Sequence, residues 1–245
     1  GLARACRAEG IEDVPDQLCR SGLREELWRA PNLLLSQTCG YPLLRQFTAY
    51  LRLLATPVYG AAGCYGPNYC SLILVGADSG ARTLEDLRGG ICAINDWDSQ
   101  SGMNVLRHTI APLAKDGRFF AEVKVAGKHQ FSVAMIARGE ADVAAIDCVT
   151  HGLMARHEPS SVEGTRVLAQ TQAAPALPYV TGKQTIGRER KRLRAALDRA
   201  MADPDLAEAR DALMIKGFAD LALRDYQVML EMEKAAAEAG YPDLN

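Results

Sequence analysis

The sequence predicts an α/β protein of two lobes, each a mainly parallel sheet flanked by helices. Strand-like and helix-like segments alternate through the first two thirds of the chain. The same strand–loop–helix grammar restarts after about residue 80, and a proline-stiffened segment then leads back into a helical tail. Alternation of this kind argues for sheets with helical crossovers rather than a sandwich or a bundle. A chain that leaves one unit, builds a second and returns makes two lobes.

The elements follow in order. The stretch "GLARACRAEG" reads as an amphipathic helix that starts abruptly, as though a first strand of lobe I preceded it. "NLLLSQTCGYPLLRQF" gives a buried strand over 33–36, a donor-rich loop over 37–40, then a helix. "LRLLATPVYG" and "YCSLILV" are apolar strands, and "TLEDLRGGICAI" is a helical turn followed by another. "FFAEVKVAG" is a strand, "HQFSVAMIARGE" a helix closed near Gly139, and "ADVAAIDCVT" a strand with a polar end. In "PALPYVTG", Pro175 and Pro178 force an extended crossing segment. Helices over 188–202, 205–217 and 221–238 complete the chain and are expected to cover the first sheet. Residues 1–80 and 178–245 are thus assigned to lobe I and 81–177 to lobe II.

Composition narrows the function classes. Lys plus Arg total 28 against 30 Asp plus Glu, a net charge of −2, so no basic field draws nucleic acid. An anion would have to be held by local donors. No apolar run approaches the ~18 residues of a spanning helix. The seven cysteines form no CxxC pair, which leaves no zinc or thioredoxin-type motif and no expected metal or cofactor. Cys64 and Cys70 bracket a turn-rich loop where a bridge is conceivable, with free thiols as the alternative reading. The cysteine count leans toward a reducing compartment.

In open α/β sheets, ligands sit beyond the carboxyl ends of strands, where helix N-termini point. This chain places Ser36 to Gly40, Tyr59 to Tyr69, Ser99 to Gly102, Gly127 to His129 and Asp147 there. Ser99 and Ser101 precede a helix start with free backbone N–H groups and a positive dipole end, enough to collect an oxyanion without lysine or arginine. Taken alone, a serine there is an N-cap; beside a second donor-rich loop, "SQTCG", it reads as one wall of a site. Glycine at 40 and 102 would admit close ligand approach. His129 is balanced between structural and ligand-facing roles, and Asp147 between ligand acceptor and cap of the following turn. Tyr59, Tyr65 and Tyr69 are candidates to wall the cleft. No GxSxG, HExxH, GxxxxGKS or GxGxxG is present, and nothing local marks Cys39 as an activated nucleophile, so no catalytic residue is assigned.

The stretches "LEDLRGGICAINDWDSQSGMNVLR" and "VAGKHQFSVAMIARGEADVAAID" resemble the phosphate/phosphonate/phosphite (PhnD-like) solute-binding proteins of ABC importers. That family has a Leu-x-Asp-Leu-Lys/Arg-Gly segment and strand before a Ser-x-Ser-Gly helix start, then Gly-x-His, Ser-x-x-Ala and a Gly-x-x-Asp-Val-Ala strand. The likeness spans about residues 32–183. It implies the type II periplasmic-binding fold, two lobes joined by two crossing strands that close on ligand like a hinged clamp. It also implies that Ser99, Gln100, Ser101 and His129 line one wall of an oxyanion pocket. Gln37, Thr38 and Tyr59 would face them, with Asp147 against a ligand amine or hydroxyl. Partners implied are a small oxyanion and a membrane permease, with a monomeric, periplasmic protein. Gln100 stands where family members often have threonine, which predicts a pocket of different size and a different ligand.

Two other readings stay open: an enzyme on the same scaffold that uses His129 or Asp147, and a cytoplasmic binding module without a transporter. Neutral donors plus one carboxylate favour a ligand that donates a proton back, so phosphate-like anions are expected to bind more tightly than sulfate.

Overall fold

The structure, a computed structural model, describes residues 1–245. In chain order the elements are α1 (Leu2–Ala8), α2 (Arg24–Arg29), β1 (Ser36–Gln37), α3 (Gly40–Pro42, continuing as a π-helical turn to Phe47), β2 (Leu51–Tyr59), β3 (Cys64–Tyr65), β4 (Asn68–Tyr69) and β5 (Ser71–Gly76). There follow β6 (Ile91–Ile94), a π-helical turn at Gln100–Asn104 leading into α4 (Val105–Ile110), β7 (Glu122–Val125), α5 (His129–Ala137), β8 (Val143–Asp147), α6 (Cys148–His157) and β9 (Thr165–Gln170). The chain closes with β10 (Ala174–Pro175), β11 (Tyr179–Gly182), α7 (Gly187–Ala202), α8 (Ala207–Ala212), β12 (Ile215–Ala219) and α9 (Val228–Glu238).

Two sheets organise the molecule. One has the order β1-β11-β2-β12, and the other β7-β6-β8-β5-β9. A small third sheet, β10-β4-β3, lies where the chain crosses between them. This is the two-lobed α/β arrangement expected, but the sheets are not mainly parallel. Only β6 pairs in parallel, with β7 and with β8; β5 meets β8 and β9 antiparallel, and every pair in the four-stranded sheet is antiparallel. Parallel neighbours need a crossover of a dozen or more residues. The connections from Ile94 to Glu122 and from Val125 to Val143 are of that length and carry α4 and α5, and they return the chain beside β6 in the same direction. The outgoing strand β2 and the returning strand β11 must run in opposite directions, which makes the first sheet's central pair antiparallel.

The lobe boundary near residue 80 is corrected by hydrogen bonding. β5 begins at Ser71 and already belongs to the five-stranded sheet, where it is buried along almost its whole length. Its run of Leu72, Ile73, Leu74 and Val75 is apolar on both faces, and only a central strand covered on both sides buries such a run. The expected strand at 33–36 shrinks to Ser36–Gln37.

The tail also departs from expectation. α7 does cover the first sheet, where Leu193, Ala196 and Leu197 pack on Leu54, Ala55 and α1. The expected helix over 205–217 gives way to α8 and then β12, an edge strand on β2. Gly217 disfavours helix there, and Phe218 packs edge-on against Tyr179 at 5.2 Å between ring centroids. α9 leaves the first sheet altogether. Met229, Met232, Ala236 and, beyond the helix, Tyr241 and Leu244 share one apolar cluster with Leu106, Ile110 and Phe119 of the second. β8 does not end in a loop, because Asp147 starts α6.

Candidate functional site

The carboxyl ends of β6, β7 and β8 point their following residues at the loop after β1 and at the crossover hairpin. β6 ends at Ile94, and the chain turns through Asn95 to Ser99 before the π-helical turn begins. Ser99 has extended backbone, φ −81° and ψ 130°, and its Oγ accepts the Gly102 N–H at 2.9 Å. The N-cap reading is therefore correct for Ser99, and its hydroxyl also lies 3.5 Å from Ser101 Oγ. Cap and site are compatible because a helix start with a serine cap presents donors on one side.

Ser101 reaches His129, the first residue of α5, with 2.9 Å between Oγ and Nε2. The ring Nδ1 is buried and has no partner. Burial pulls the imidazole down to about 4, so it is neutral near pH 7. Asp147 is 3% exposed. Its Oδ1 accepts from Val149 N at 2.7 Å and Thr150 N at 3.1 Å. Burial nevertheless pushes its carboxyl up to about 6, against the lowering effect of those two amides. A carboxyl so placed carries a proton far more readily than one in water.

From the other side, Gln37 donates from Nε2 to Tyr59 Oη and to Leu177 O, both at 2.9 Å. Thr38 is buried, its amide bound to Pro178 O at 3.1 Å and its hydroxyl to Cys39 O at 3.3 Å. Burial raises the Tyr59 phenol, and Asp147 is among the charges that act on it. Tyr69 is buried as well, raised chiefly by burial and further by the neighbouring Cys39 and Asp147. Tyr65, in contrast, is 72% exposed and walls nothing.

Two expectations are corrected here. The side-chain amide of Gln100 does not face the cleft: its Oε1 accepts from Asn104 Nδ2 at 2.7 Å and its Nε2 lies 3.3 Å from Met232 Sδ of α9. The larger residue fills a place between α4 and α9 and leaves pocket size to its neighbours. Gly102 is required not by a ligand but by Asn95. A Cβ at 102 would fall 1.8 Å from Asn95 Oδ1 and 3.3 Å from His129 Cε1. Asn95 Oδ1, buried without a partner, is the site neighbour that sequence reasoning missed; the Asn-Asp turn after β6 was its only signal.

Cys39 accepts the Gln100 N–H at 3.4 Å, and burial pushes its thiol up to about 11. It is a protonated thiol at neutral pH, not an activated nucleophile. Beside Ser101, a narrow crevice lined by Tyr69, Gln100, Thr171 and Ala174 is too tight to admit water. A larger cavity, about 330 Å³, lies instead beside α3 and α9. There Arg45 pairs with Glu233, and Arg107 is bonded to Pro242 O and Asn104 Oδ1, so its cations are engaged within the protein.

Comparison with known proteins identifies the fold and the family. The fold is shared with XAC2383 from Xanthomonas citri bound to ATP, at 18% identity and TM-score 0.71 over 97% of this chain and 90% of that one. It is shared with a binding protein component of an ABC phosphonate transporter, PA3383 from Pseudomonas aeruginosa, at 16% identity and TM-score 0.71 over 97% and 74%. PhnD1 from Prochlorococcus marinus in complex with methylphosphonate matches at 13% identity and TM-score 0.67 over 83% and 78%. No curated protein matches the chain in sequence. Residues 32–226 match the family model described as the phosphonate, periplasmic substrate-binding protein of an ABC transporter, and a match over that much of 245 residues makes this chain a member of that solute-binding family.

Proposed function

We propose that the cleft between the two sheets binds a small phosphorus oxyanion, a phosphonate, phosphite or phosphate, for delivery to a membrane permease. The observation that carries this reading is the convergence of neutral donors, Ser99, Ser101 and His129, with a protonatable carboxyl, Asp147, which acts on the same Tyr69 phenol that Ser101 contacts. Gln37, Thr38 and Tyr59 supply the opposite wall, and none of these residues is a cation. The methylphosphonate bound by PhnD1 and the ATP bound by XAC2383 both present tetrahedral phosphorus oxygens, which is the shared chemistry.

Lobe I comprises the sheet of β1, β2, β11 and β12 with α7, and lobe II the sheet of β5 to β9. Opening about the crossover at 60–70 and 171–178 admits the ligand, and closure excludes water. Asp147 sets selectivity, because a protonated oxyanion donates to a carboxylate while doubly ionised sulfate is repelled by it. The protein works outside the cytoplasmic membrane as a monomeric binder and carries out no chemistry. The Ser101–His129 contact has the form of a nucleophile–base pair, but no third group holds Nδ1 as such a pair requires. Calorimetric titration with methylphosphonate, phosphite, phosphate and sulfate tests the reading: the phosphorus anions bind and sulfate binds at least tenfold more weakly. Equal or tighter sulfate binding would overturn it.

A further inference from the structure

Three of the seven cysteines converge where the outgoing crossover meets α6. All are thiols in this structure. The sulfurs of Cys64 and Cys148, 84 residues apart in sequence, lie 3.5 Å from each other. The Cys70 carbonyl accepts the Cys148 N–H at 3.1 Å, so the backbone already holds the hairpin against the start of α6. Gly63 makes the space. Its φ is +96°, and a Cβ there would sit 2.8 Å from Cys70 Sγ and 3.3 Å from Cys148 Sγ.

We propose that Cys64 and Cys148 are a disulfide-forming pair that ties the β3–β4 hairpin to the N-terminus of α6. The bridge the sequence makes conceivable, Cys64 with Cys70, is not the contact the sulfurs make: Cys64 Sγ meets Cys148 Sγ. Cys70 Sγ donates to Gln170 Oε1 on β9 at 3.8 Å and also faces Cys148, whose closest sulfur contact is with Cys64. Cys64 is half-buried, whereas Cys70 and Cys148 are buried. The Cys148 hydrogen bond holds the Cys64 thiol below the ordinary range, and the same contact pushes Cys148 up to about 12. Cys64 is therefore the thiol that ionises first and meets an oxidant first.

A small disulfide such as oxidised glutathione supplies the oxidising equivalents. The Cys64 thiolate attacks one of its sulfurs, breaking that S–S bond and releasing one glutathione thiolate. Cys148 then gives its proton to solvent and attacks the Cys64 sulfur, expelling the second glutathione, and both leaving thiolates take up protons. Two protein thiols are oxidised and one disulfide is reduced to two thiols. The consequence is local stiffening beside the cleft, since Asp147 precedes Cys148 and Tyr69 precedes Cys70. An oxidising compartment would hold the pair closed. The inference is independent of which ligand the cleft takes.

Peptide mapping of the full chain after incubation with oxidised glutathione tests it. Tryptic peptide 53–82 should appear joined to 139–156, and chymotryptic cleavage after Tyr65 and Tyr69 should assign the link to Cys64. The crosslink closes a long loop, so the midpoint of thermal unfolding should rise by about 10 °C and fall back with dithiothreitol. Cys64→Ser should lose both effects and Cys70→Ser should keep both. Cys64 and Cys148 both remaining alkylatable after oxidation, or a link confined to peptide 53–82, would overturn the assignment. The wild-type map decides this even if a variant fails to fold.

Discussion

Ser101 Oγ and His129 Nε2 are 2.9 Å apart, joining the helix start that follows β6 to the one that follows β7. The two parallel strands thus deliver their post-strand residues to one point. Because the imidazole is neutral, hydroxyl and ring share a proton and leave a buried Nδ1 without a partner. With Nδ1 carrying the proton, the oxyanion proposed for this cleft would accept from it. Ser101→Ala and His129→Ala should each weaken methylphosphonate binding by about 10- to 100-fold, the worth of one hydrogen bond to a charged group. Calorimetry checks this, with circular dichroism showing the fold retained.

Asp147 and His129 should impose opposite slopes on stability against pH. Asp147 has its carboxyl raised from 3.8 to about 6 in the folded state, so its contribution is present at low pH and lost as pH rises through 6. His129 has its imidazole lowered from 6.5 to about 4, so its contribution is present above 6.5 and lost as pH falls toward 4. Each shift corresponds to about 3 kcal/mol, and between pH 4 and 6 they nearly cancel. Asp147→Asn, which keeps a capping oxygen, should make stability fall on acidification relative to the parent; His129→Gln should make it rise. Urea unfolding at pH 4, 5 and 6.5 measures both slopes, and parallel curves for parent and variants would refute the assignment.

Gln100 acts through α9 rather than through ligand. Gln100→Thr removes one of the two acceptors of Asn104 Nδ2, leaving Met229 O, and the contact with Met232 Sδ. The expected result is a loss of about 1–3 kcal/mol in stability with the order of ligand affinities unchanged. A changed ligand order would show that the residue faces the cleft.

Tyr226 ties β2 to the returning crossing segment. Its hydroxyl donates to Ala176 O at 2.9 Å and accepts from Thr56 Oγ1 at 2.7 Å, both in buried surroundings. Tyr226→Phe strands both partners and should lower stability by about 1–3 kcal/mol. The thermal midpoint should drop by several degrees.

Much of this was legible in the sequence because the second unit is built from local signals. Runs such as Ile91–Ile94 and Val143–Asp147, each followed by polar residues and a helix start, mark strands and the polar loops at their carboxyl ends. The tail was not legible, because β12 forms only by pairing with β2, more than 150 residues earlier. Gln100 misled for a related reason: its partners, Asn104 and Met232, include one supplied by α9, whose crossing to the second sheet no local pattern announces. Asn95 stayed hidden because only the folded chain sets its carboxamide against Gly102.

The most direct test of the central claim is the stabilisation that methylphosphonate gives the parent and the Ser99→Ala/Ser101→Ala variant, each compared with its own ligand-free form. Loss of the Ser99 cap should by itself cost about 1 kcal/mol, which this comparison removes. At 100 times its dissociation constant the ligand should stabilise the parent by about 2.7 kcal/mol and the variant not at all. An equal shift in the two proteins would contradict the account and place the oxyanion elsewhere.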